Sequence, residues 1–156
     1  MAEEKTNVMR VLEQKKIPYT PHSYPHTEGE AVDGATVAAL LGRDPGEGYK
    51  TLVTRGASKA NYVFVVPVLA ELDLKKAAKT VGEKSIELIH VKELTPLTGY
   101  VRGGCSPIGM KKRFKTVVDA SAQAHAAILV SAGKIGRQVE LSPDALVGLI
   151  GGSFAS

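Results

Sequence analysis

The chain has 156 residues, of which 44% are hydrophobic and 23% are charged. These fractions are typical of a soluble globular domain and exclude a disordered or fibrous chain. No apolar run reaches the roughly 20 residues that a membrane helix needs, and residues 1–16 are charged rather than apolar. We therefore expect one domain over residues 1–156, located in the cytoplasm and without a membrane partner.

The charge pattern favours a polyanionic partner without requiring one. Twenty Lys and Arg residues stand against sixteen Asp and Glu residues, so the formal net charge is +4. Lys111, Lys112, Arg113 and Lys115 are nearly consecutive and predict a local basic patch. The single cysteine, Cys105, excludes an internal disulfide and a metal site built from several thiolates.

Two helices are predicted in the first quarter of the chain. Apolar residues at helical spacing indicate a helix over residues 6–16, before Pro18. A second apolar stripe predicts a helix over 32–41 that ends at Gly42. Residues 19–24, between them, are interpreted as an extended segment.

The middle of the chain is predicted to contain a β-hairpin, a helix and further strands. The hairpin comprises residues 50–54 and 62–68, because Gly, Ser and Asn lie in the loop between these β-rich runs. Asp73 is expected to cap a helix through residue 81 that stops at Gly82. Residues 86–91 and 99–102 are then predicted to be strands, with a polar connection between them.

The pattern in the last third of the chain predicts strands over residues 116–119, 126–131 and 138–141, followed by a helix over 145–150. Ser142 is a suitable cap for that helix and Pro143 a suitable first residue. Short strands with interspersed helices indicate the α+β class, with a mixed sheet, rather than an alternating doubly wound fold. There is no glycine-rich dinucleotide fingerprint, and Gly133 to Gly136 lacks the spacing of a phosphate-binding P-loop.

Three groups of residues are candidates for chemistry, and each has an ordinary structural interpretation as well. His22 and His26 are close in sequence, but Pro25 opposes a shared helical face, so we expect no metal site. Cys105 lacks an identifiable histidine partner, so its thiol should keep a pKa of about 8.5 and should not be a nucleophile. The paired glycines 103 and 104 are typical of a tight turn, yet they also permit backbone N–H groups to approach a carbonyl oxygen.

Three strings together resemble the YbaK/EbsC family of aminoacyl-tRNA deacylases. They are residues 49–52 (YKTL), 72–79 (LDLKKAAK) and 99–109 (GYVRGGCSPIG), the last of which leads into residues 111–113. The resemblance extends over nearly the whole chain. Within the family, the free-standing deacylases that act on cysteine attached to proline tRNA are more similar than the editing insertion of bacterial prolyl-tRNA synthetase.

The resemblance implies a curled, barrel-like mixed sheet flanked by helices, with a pocket for the aminoacylated 3′ end of tRNA. It implies that Lys50, Gly103 and Gly104 take part in catalysis. It also implies that the substrate is bound by residues matching further family positions, namely Tyr24, Thr51, Ser131 and Gly133. The family usually has an aliphatic residue at the position of Cys105, so a buried, inert cysteine is the simpler interpretation there.

The resemblance further implies a reaction in which the thiol of a mischarged cysteine attacks its own ester carbonyl, with no cofactor and no metal. The expected partners are aminoacyl-tRNA and, to deliver it, prolyl-tRNA synthetase, with no role for DNA. Two alternatives stay open. One is a deacylase that uses water to remove alanine or another small amino acid from proline tRNA. The other is a noncatalytic module that binds tRNA or a synthetase.

Overall fold

A computed structural model describes residues 5–155, so both ends of the domain expected over 1–156 lie outside the described part. These residues form five α-helices: α1 (Asn7–Gln14), α2 (Gly34–Leu40), α3 (Leu74–Val81), α4 (Val91–Thr98) and α5 (Pro143–Ile150). They also form eight strands: β1 (Thr20–Ser23), β2 (Tyr49–Gly56), β3 (Asn61–Pro67), β4 (Ile86–Leu88), β5 (Lys115–Asp119), β6 (Ile128–Ser131), β7 (Arg137–Leu141) and β8 (Ser153–Ala155). Short 3-10 helices cover Pro45–Glu47 and Ala120–Ala124.

The strands form two sheets, and this corrects the expectation of one barrel-like sheet. Three antiparallel strands make the first, in the order β1-β7-β6. Five strands make the second, in the order β4-β2-β3-β5-β8, in which β5 lies parallel to both β3 and β8. Within residues 5–155, a single backbone bridge, between Gly48 and Leu129, connects the ladders of the two sheets. The α+β class and the mixed sheet are confirmed, but the strands do not close into a barrel.

Capping residues begin and end the helices as their chemistry predicts. The side chains of Thr6, Asp33, Asp73 and Ser142 each accept a hydrogen bond from a backbone N–H in the first turn of α1, α2, α3 and α5, respectively. Gly82 ends α3 with a φ of 76°, in the left-handed region that glycine adopts without steric cost. These local signals explain why most helix positions are confirmed.

Two predictions between residues 86 and 102 are wrong. The strand expected over 86–91 ends at Leu88, and α4 begins at Val91 in place of the expected polar connection. The strand expected over 99–102 does not form, because the chain after Gly99 enters a turn in which the Gly104 N–H donates to the Val101 carbonyl oxygen. Pro96 inside α4 obscured this helix at the sequence level, since proline in a helix interior removes a backbone hydrogen bond. Strand β8 was not predicted.

The main core lies between the two sheets and is covered by α1 and α5. Val63, Val65 and Val118 from the second sheet pack into the same cluster as Val130 and Val139 from the first. A second, smaller cluster lies between α3 and the opposite face of the five-stranded sheet. None of the helices described between residues 5 and 155 is long and apolar enough to cross a membrane.

Candidate active site

A cleft of about 560 Å³ opens where the two sheets meet. Both residues of the connecting bridge, Gly48 and Leu129, line it. Strand β2 forms one wall as far as Leu52, and β4 pairs with β2 only from Thr54 onward. Helix α2 and the loop after α4 complete the lining. The cleft is therefore a gap between sheets rather than the interior of a barrel.

Lys50 and Thr51 lie on the β2 wall, and each presents a polar group without a partner. Lys50 pairs with Val66 in the β2–β3 ladder, and its ammonium group forms no hydrogen bond or ion pair with residues 5–155. The Thr51 Oγ1 atom is buried and has no hydrogen-bond partner within the described part of the chain. A buried hydroxyl without a partner costs free energy, so the Thr51 hydroxyl would gain from a ligand atom that reached it. The Lys50 ammonium is a cation that an anionic ligand can pair with.

The two paired glycines differ in what their backbone can do. Gly103 lines the cleft with a φ of 84°, and no residue between 5 and 155 accepts a hydrogen bond from its N–H. A Cβ atom at Gly103 would lie 2.7 Å from the Cβ of Ala31, so the loop before α2 leaves no room for a side chain. The Gly104 N–H instead donates to the Val101 carbonyl oxygen at 3.0 Å, and Gly104 is absent from the lining. Of these two glycines, Gly103 is therefore the one whose backbone N–H has no acceptor among the described residues.

The remaining predicted residues divide between the cleft and the core. Tyr24 and Ser131 line the cleft, and Ser131 Oγ accepts a hydrogen bond from the Gly133 N–H at 3.2 Å. Gly133 lies behind this lining, because a Cβ on it would come within 3.0 Å of the Tyr100 ring and 3.2 Å of Val8. The geometry thus brings together Tyr24, Lys50, Thr51, Gly103 and Ser131, and leaves Gly104 and Gly133 outside the lining.

The cleft is also lined by three polar residues that were not predicted from the sequence. Arg102 is exposed next to Gly103, and Gln138 reaches the cleft from β7. Asp33 also lines it, but its carboxylate accepts hydrogen bonds from Thr36 N–H and Thr36 Oγ1, which lower its pKa. Alternation along β7 could have placed Gln138 on one face, but only the packing of the sheets shows that this face borders the cleft.

Cys105 lines the cleft as a packed, protonated thiol. It is 9% exposed, and burial raises its pKa to about 12. The expected pKa near 8.5 is therefore wrong, because desolvation disfavours the thiolate. The absence of a nucleophilic role stays a prediction, and a raised pKa agrees with it, since the thiolate is the reactive form of cysteine.

The two neighbouring histidines serve the structure around the cleft. His22 Nε2 lies 2.9 Å from Glu140 Oε1, and the His26 ring packs edge-on against the Tyr24 ring at a centroid distance of 6.2 Å. No three His, Cys, Asp or Glu side chains among the described residues form a group that could hold a metal ion.

The sequence from residue 28 to residue 149 matches the aminoacyl-tRNA editing domain family. The chain belongs to this family and is an aminoacyl-tRNA editing deacylase. A relative from Enterococcus faecalis, EbsC, is 48% identical over 153 residues, which make up 98% of this chain and 93% of the relative. EbsC is named as a Cys-tRNA(Pro)/Cys-tRNA(Cys) deacylase.

Solved structures share the fold at lower identity. A protein named as a trans-editing enzyme for prolyl-tRNA synthetase superimposes with a TM-score of 0.81 at 24% identity, over 96% of this chain and 92% of that protein. The protein APE2540 superimposes with a TM-score of 0.85, also at 24% identity, over 96% of this chain and 97% of its own. These similarities show that the fold is shared with proteins of known structure.

Proposed function

We propose that this protein is a free-standing editing deacylase that removes cysteine from Cys-tRNA(Pro), with the cysteine thiol of the substrate as the nucleophile. The observation that carries the proposal is the chemistry of the cleft lining. It offers a cation, a buried hydroxyl and an unoccupied N–H, whereas its thiol, Cys105, is protonated and no histidine lines it among the described residues. Such a site can bind and orient an ester, but it does not supply an activated nucleophile.

The substrate itself can supply the missing group. The sulfur of the esterified cysteine, as thiolate, forms a bond to its own carbonyl carbon while the bond from that carbon to the ribose oxygen breaks. The thiol proton ends on the ribose oxygen, so the products are a cyclic thiolactone and uncharged tRNA. Free cysteine has a pKa of about 8.5, so a usable fraction of thiolate exists near neutral pH.

The residues of the cleft would then act by orientation and by electrostatic stabilisation. Lys50 binds the 3′-terminal phosphate or ribose and so fixes the ester relative to the loop after α4. The Gly103 N–H donates to the carbonyl oxygen as negative charge develops on it. Thiol and carbonyl already belong to one residue of the substrate, so the protein contributes by holding them in the attack conformation and by excluding unproductive rotamers.

The relative EbsC supports cysteine as the amino acid, because it is named for this activity and shares 48% of its residues with this chain. The size of the cleft agrees with this proposal. A volume of about 560 Å³ lies within the range of small-molecule sites, which suits a terminal nucleotide and its amino acid rather than the body of a tRNA.

The proposal is tested by comparing Cys-tRNA(Pro), Ser-tRNA(Pro) and Ala-tRNA(Pro) as substrates of the purified protein. We expect Cys-tRNA(Pro) to be cleaved at least about a hundredfold faster, because the serine hydroxyl is a far weaker nucleophile near neutral pH and alanine has none. Mass spectrometry of early products should detect the thiolactone before it hydrolyses. Equal rates on all three substrates would show that water is the nucleophile and would contradict this mechanism.

We also propose that prolyl-tRNA synthetase supplies the selectivity for tRNA(Pro). A cleft that receives only the 3′ end cannot read the anticodon or the rest of the tRNA, and that end is chemically similar in all tRNAs. Adding the synthetase to a mixture of Cys-tRNA(Pro) and Cys-tRNA(Cys) should therefore raise the ratio of the two cleavage rates. An unchanged ratio would contradict this part of the proposal.

A further inference from the structure

A second surface of the molecule carries positive charge without local compensation. Lys15 at the end of α1, together with Lys111, Lys112, Arg113 and Lys115 before and at the start of β5, forms what we call the basic face. All five side chains are exposed, and none forms an ion pair with residues 5–155. Three cations, Lys15, Lys112 and Arg113, line one groove of about 220 Å³.

The lining of this groove has no described carboxylate. Its floor is apolar and includes Met110, Phe114 and Leu149, so the cations form a rim above it. A polyanion near this groove would be attracted by the cations, and no described carboxylate in the lining would repel it.

The lysines of α3 provide a contrast within the same molecule. Lys75, Lys76 and Lys79 are equally exposed and equally close in sequence. However, the groove that Lys76 lines, about 230 Å³ in volume, is also lined by the carboxylates Glu71, Asp73 and Asp119. Carboxylates therefore line the groove beside Lys76, whereas none among the described residues lines the groove of Lys15, Lys112 and Arg113.

The basic face lies close to the loop that forms one wall of the cleft. The Lys111 N–H donates to the Thr98 carbonyl oxygen at 3.0 Å, and Lys111 Cγ would lie 3.3 Å from a Cβ built on Gly99. Gly103 follows Gly99 by four residues, so even an extended chain would separate their Cα atoms by at most about 14 Å. When the distance from Gly99 to Lys111, which are in contact, is added, Lys111 lies within about 20 Å of Gly103.

We propose that the basic face binds backbone phosphates of the acceptor arm of the tRNA whose 3′ end occupies the cleft. This inference rests on the proposed function. A substrate tRNA is a continuous polyanion, so its phosphates leave the cleft and pass over neighbouring surface, and the basic face begins at Lys111, within about 20 Å of Gly103. Flexible lysines recognise phosphate charge and not base sequence, so these contacts add affinity that is common to all tRNAs. Selectivity for one tRNA then has to come from elsewhere.

The test compares two triple variants of equal charge. Lys15→Gln, Lys112→Gln and Arg113→Gln together remove three cations from the basic face, and Lys75→Gln, Lys76→Gln and Lys79→Gln remove three from α3. Each variant lowers the formal net charge of +4 by three, to +1, so a general effect of charge is the same in both. Binding of uncharged tRNA is measured by fluorescence anisotropy between 50 and 200 mM salt. Deacylation is measured with Cys-tRNA(Pro) and with a cysteinyl ester of adenosine, which has no phosphate chain.

We expect the basic-face variant to bind tRNA about tenfold or more weakly at 50 mM salt. Its plot of log affinity against log salt should be shallower by about 2 to 3, because each lost phosphate contact removes about 0.7 to 0.9 from the slope. Its kcat/KM should fall on Cys-tRNA(Pro) and stay at the wild-type value on the adenosine ester. The α3 variant should match wild type throughout.

Equal losses in both variants, or none in either, would overturn the proposal. It would also be overturned if the basic-face variant kept its tRNA affinity and lost binding to prolyl-tRNA synthetase, which would assign the surface to an acidic protein. Anisotropy with uncharged tRNA does not depend on the reaction. If wild type fails to cleave Cys-tRNA(Pro), the proposed function fails, while the binding contrast between the two variants still decides the role of the basic face.

Discussion

The cleft and a charge cluster formed by Arg43, Glu47, Glu140 and His22 differ in whether their polar groups have partners within the protein. In the cluster, Arg43 donates to both carboxylate oxygens of Glu140, at 2.8 and 2.9 Å, and also to Glu47, while His22 contacts Glu140. In the cleft, the Lys50 ammonium and Thr51 hydroxyl have no partner among the described residues. Arg43 thus stabilises the fold, whereas Lys50, seven positions further along the chain, is available to a substrate.

This difference shows which cation to associate with function. A charged group whose hydrogen bonds are all made within the protein contributes mainly to stability, and its ligand-binding capacity is already used. A cation held in a cleft without a partner gains its partner only when a ligand arrives. Substitutions in the cleft should therefore lower activity and leave stability unchanged, whereas substitutions in the charge cluster should lower stability and leave activity nearly unchanged.

The largest expected effect is that of Lys50→Ala. We expect this variant to lose deacylation of Cys-tRNA(Pro) by at least about a hundredfold, because a displacement of about 1 Å in a reacting group costs on the order of that factor. Lys50→Arg should rescue poorly, because a planar guanidinium places its donors differently from a compact ammonium. The measurement is single-turnover deacylation at low and moderate salt.

Circular dichroism and thermal melting serve as controls for both Lys50 variants. Both should melt near the wild-type temperature, because Lys50 makes no hydrogen bond or ion pair with residues 5–155. A folded Lys50→Ala variant that works within a few fold of wild type would mean that Lys50 does not belong to the active site.

The opposite pattern is expected for Glu140→Gln in the charge cluster. The Arg43 and Glu140 side chains are only 27% and 19% exposed, so loss of this charged pairing should cost about 1 to 3 kcal/mol of unfolding free energy, as measured in urea. Deacylation by the folded variant should stay within a few fold of wild type. The matched control is Glu87→Gln on β4, an exposed carboxylate without an ion pair among the described residues, for which we expect little change.

The stability difference between wild type and Glu140→Gln should depend on pH in a defined direction. Hydrogen bonds from Arg43 lower the pKa of Glu140 from 4.5 to about 2. Because the folded-state pKa is depressed, the stabilisation is complete above the unfolded value and is lost as the pH falls from 4.5 toward 2. The difference should thus be constant above about pH 5 and shrink below it. An equal difference at pH 7 and pH 3 would show that the ion pair is not its cause.

The smallest expected effect is that of Cys105→Ala. Burial raises the pKa of this thiol to about 12, so it is protonated at neutral pH and should contribute packing only. We expect deacylation of Cys-tRNA(Pro) to stay within a few fold of wild type, with Cys105→Ser as a second variant of similar size. A loss of more than about a hundredfold in a folded protein, roughly 2.7 kcal/mol, would instead place the thiol in the reaction.

Helix boundaries were predictable wherever a capping residue and a glycine stop enclosed an apolar stripe, as Asp73 and Gly82 do for α3. Helix α4 was missed because it contains Pro96, and because β-branched Val91 suggested that the preceding strand continued. The division into two sheets depends on the pairing of β7 with β1 and β6, which is set by tertiary packing. No local pattern in residues 137–141 specifies both partners.

Much of the candidate site was predictable only through the resemblance. The YKTL string indicated Lys50 and Thr51, but the missing hydrogen-bond partner of Thr51 depends on everything packed around β2. Sequence could not separate Gly103 from Gly104 either. The separation depends on a turn in which the Gly104 N–H is already bonded to Val101, and on the approach of Ala31 to Gly103.

The bridge between Gly48 and Leu129 has a consequence for how substrate range can change. Each sheet completes its own ladders, and among the described residues one backbone bridge joins those ladders at the cleft, while side-chain packing in the main core holds the sheets together elsewhere. Substitutions of side chains that project into the cleft beside this seam can alter the space for the amino acid while every ladder hydrogen bond stays intact. Substitutions of Leu129, which is buried, should change stability as well. A change of substrate range is therefore expected from the side chains that border the cleft and not from those that fill the core.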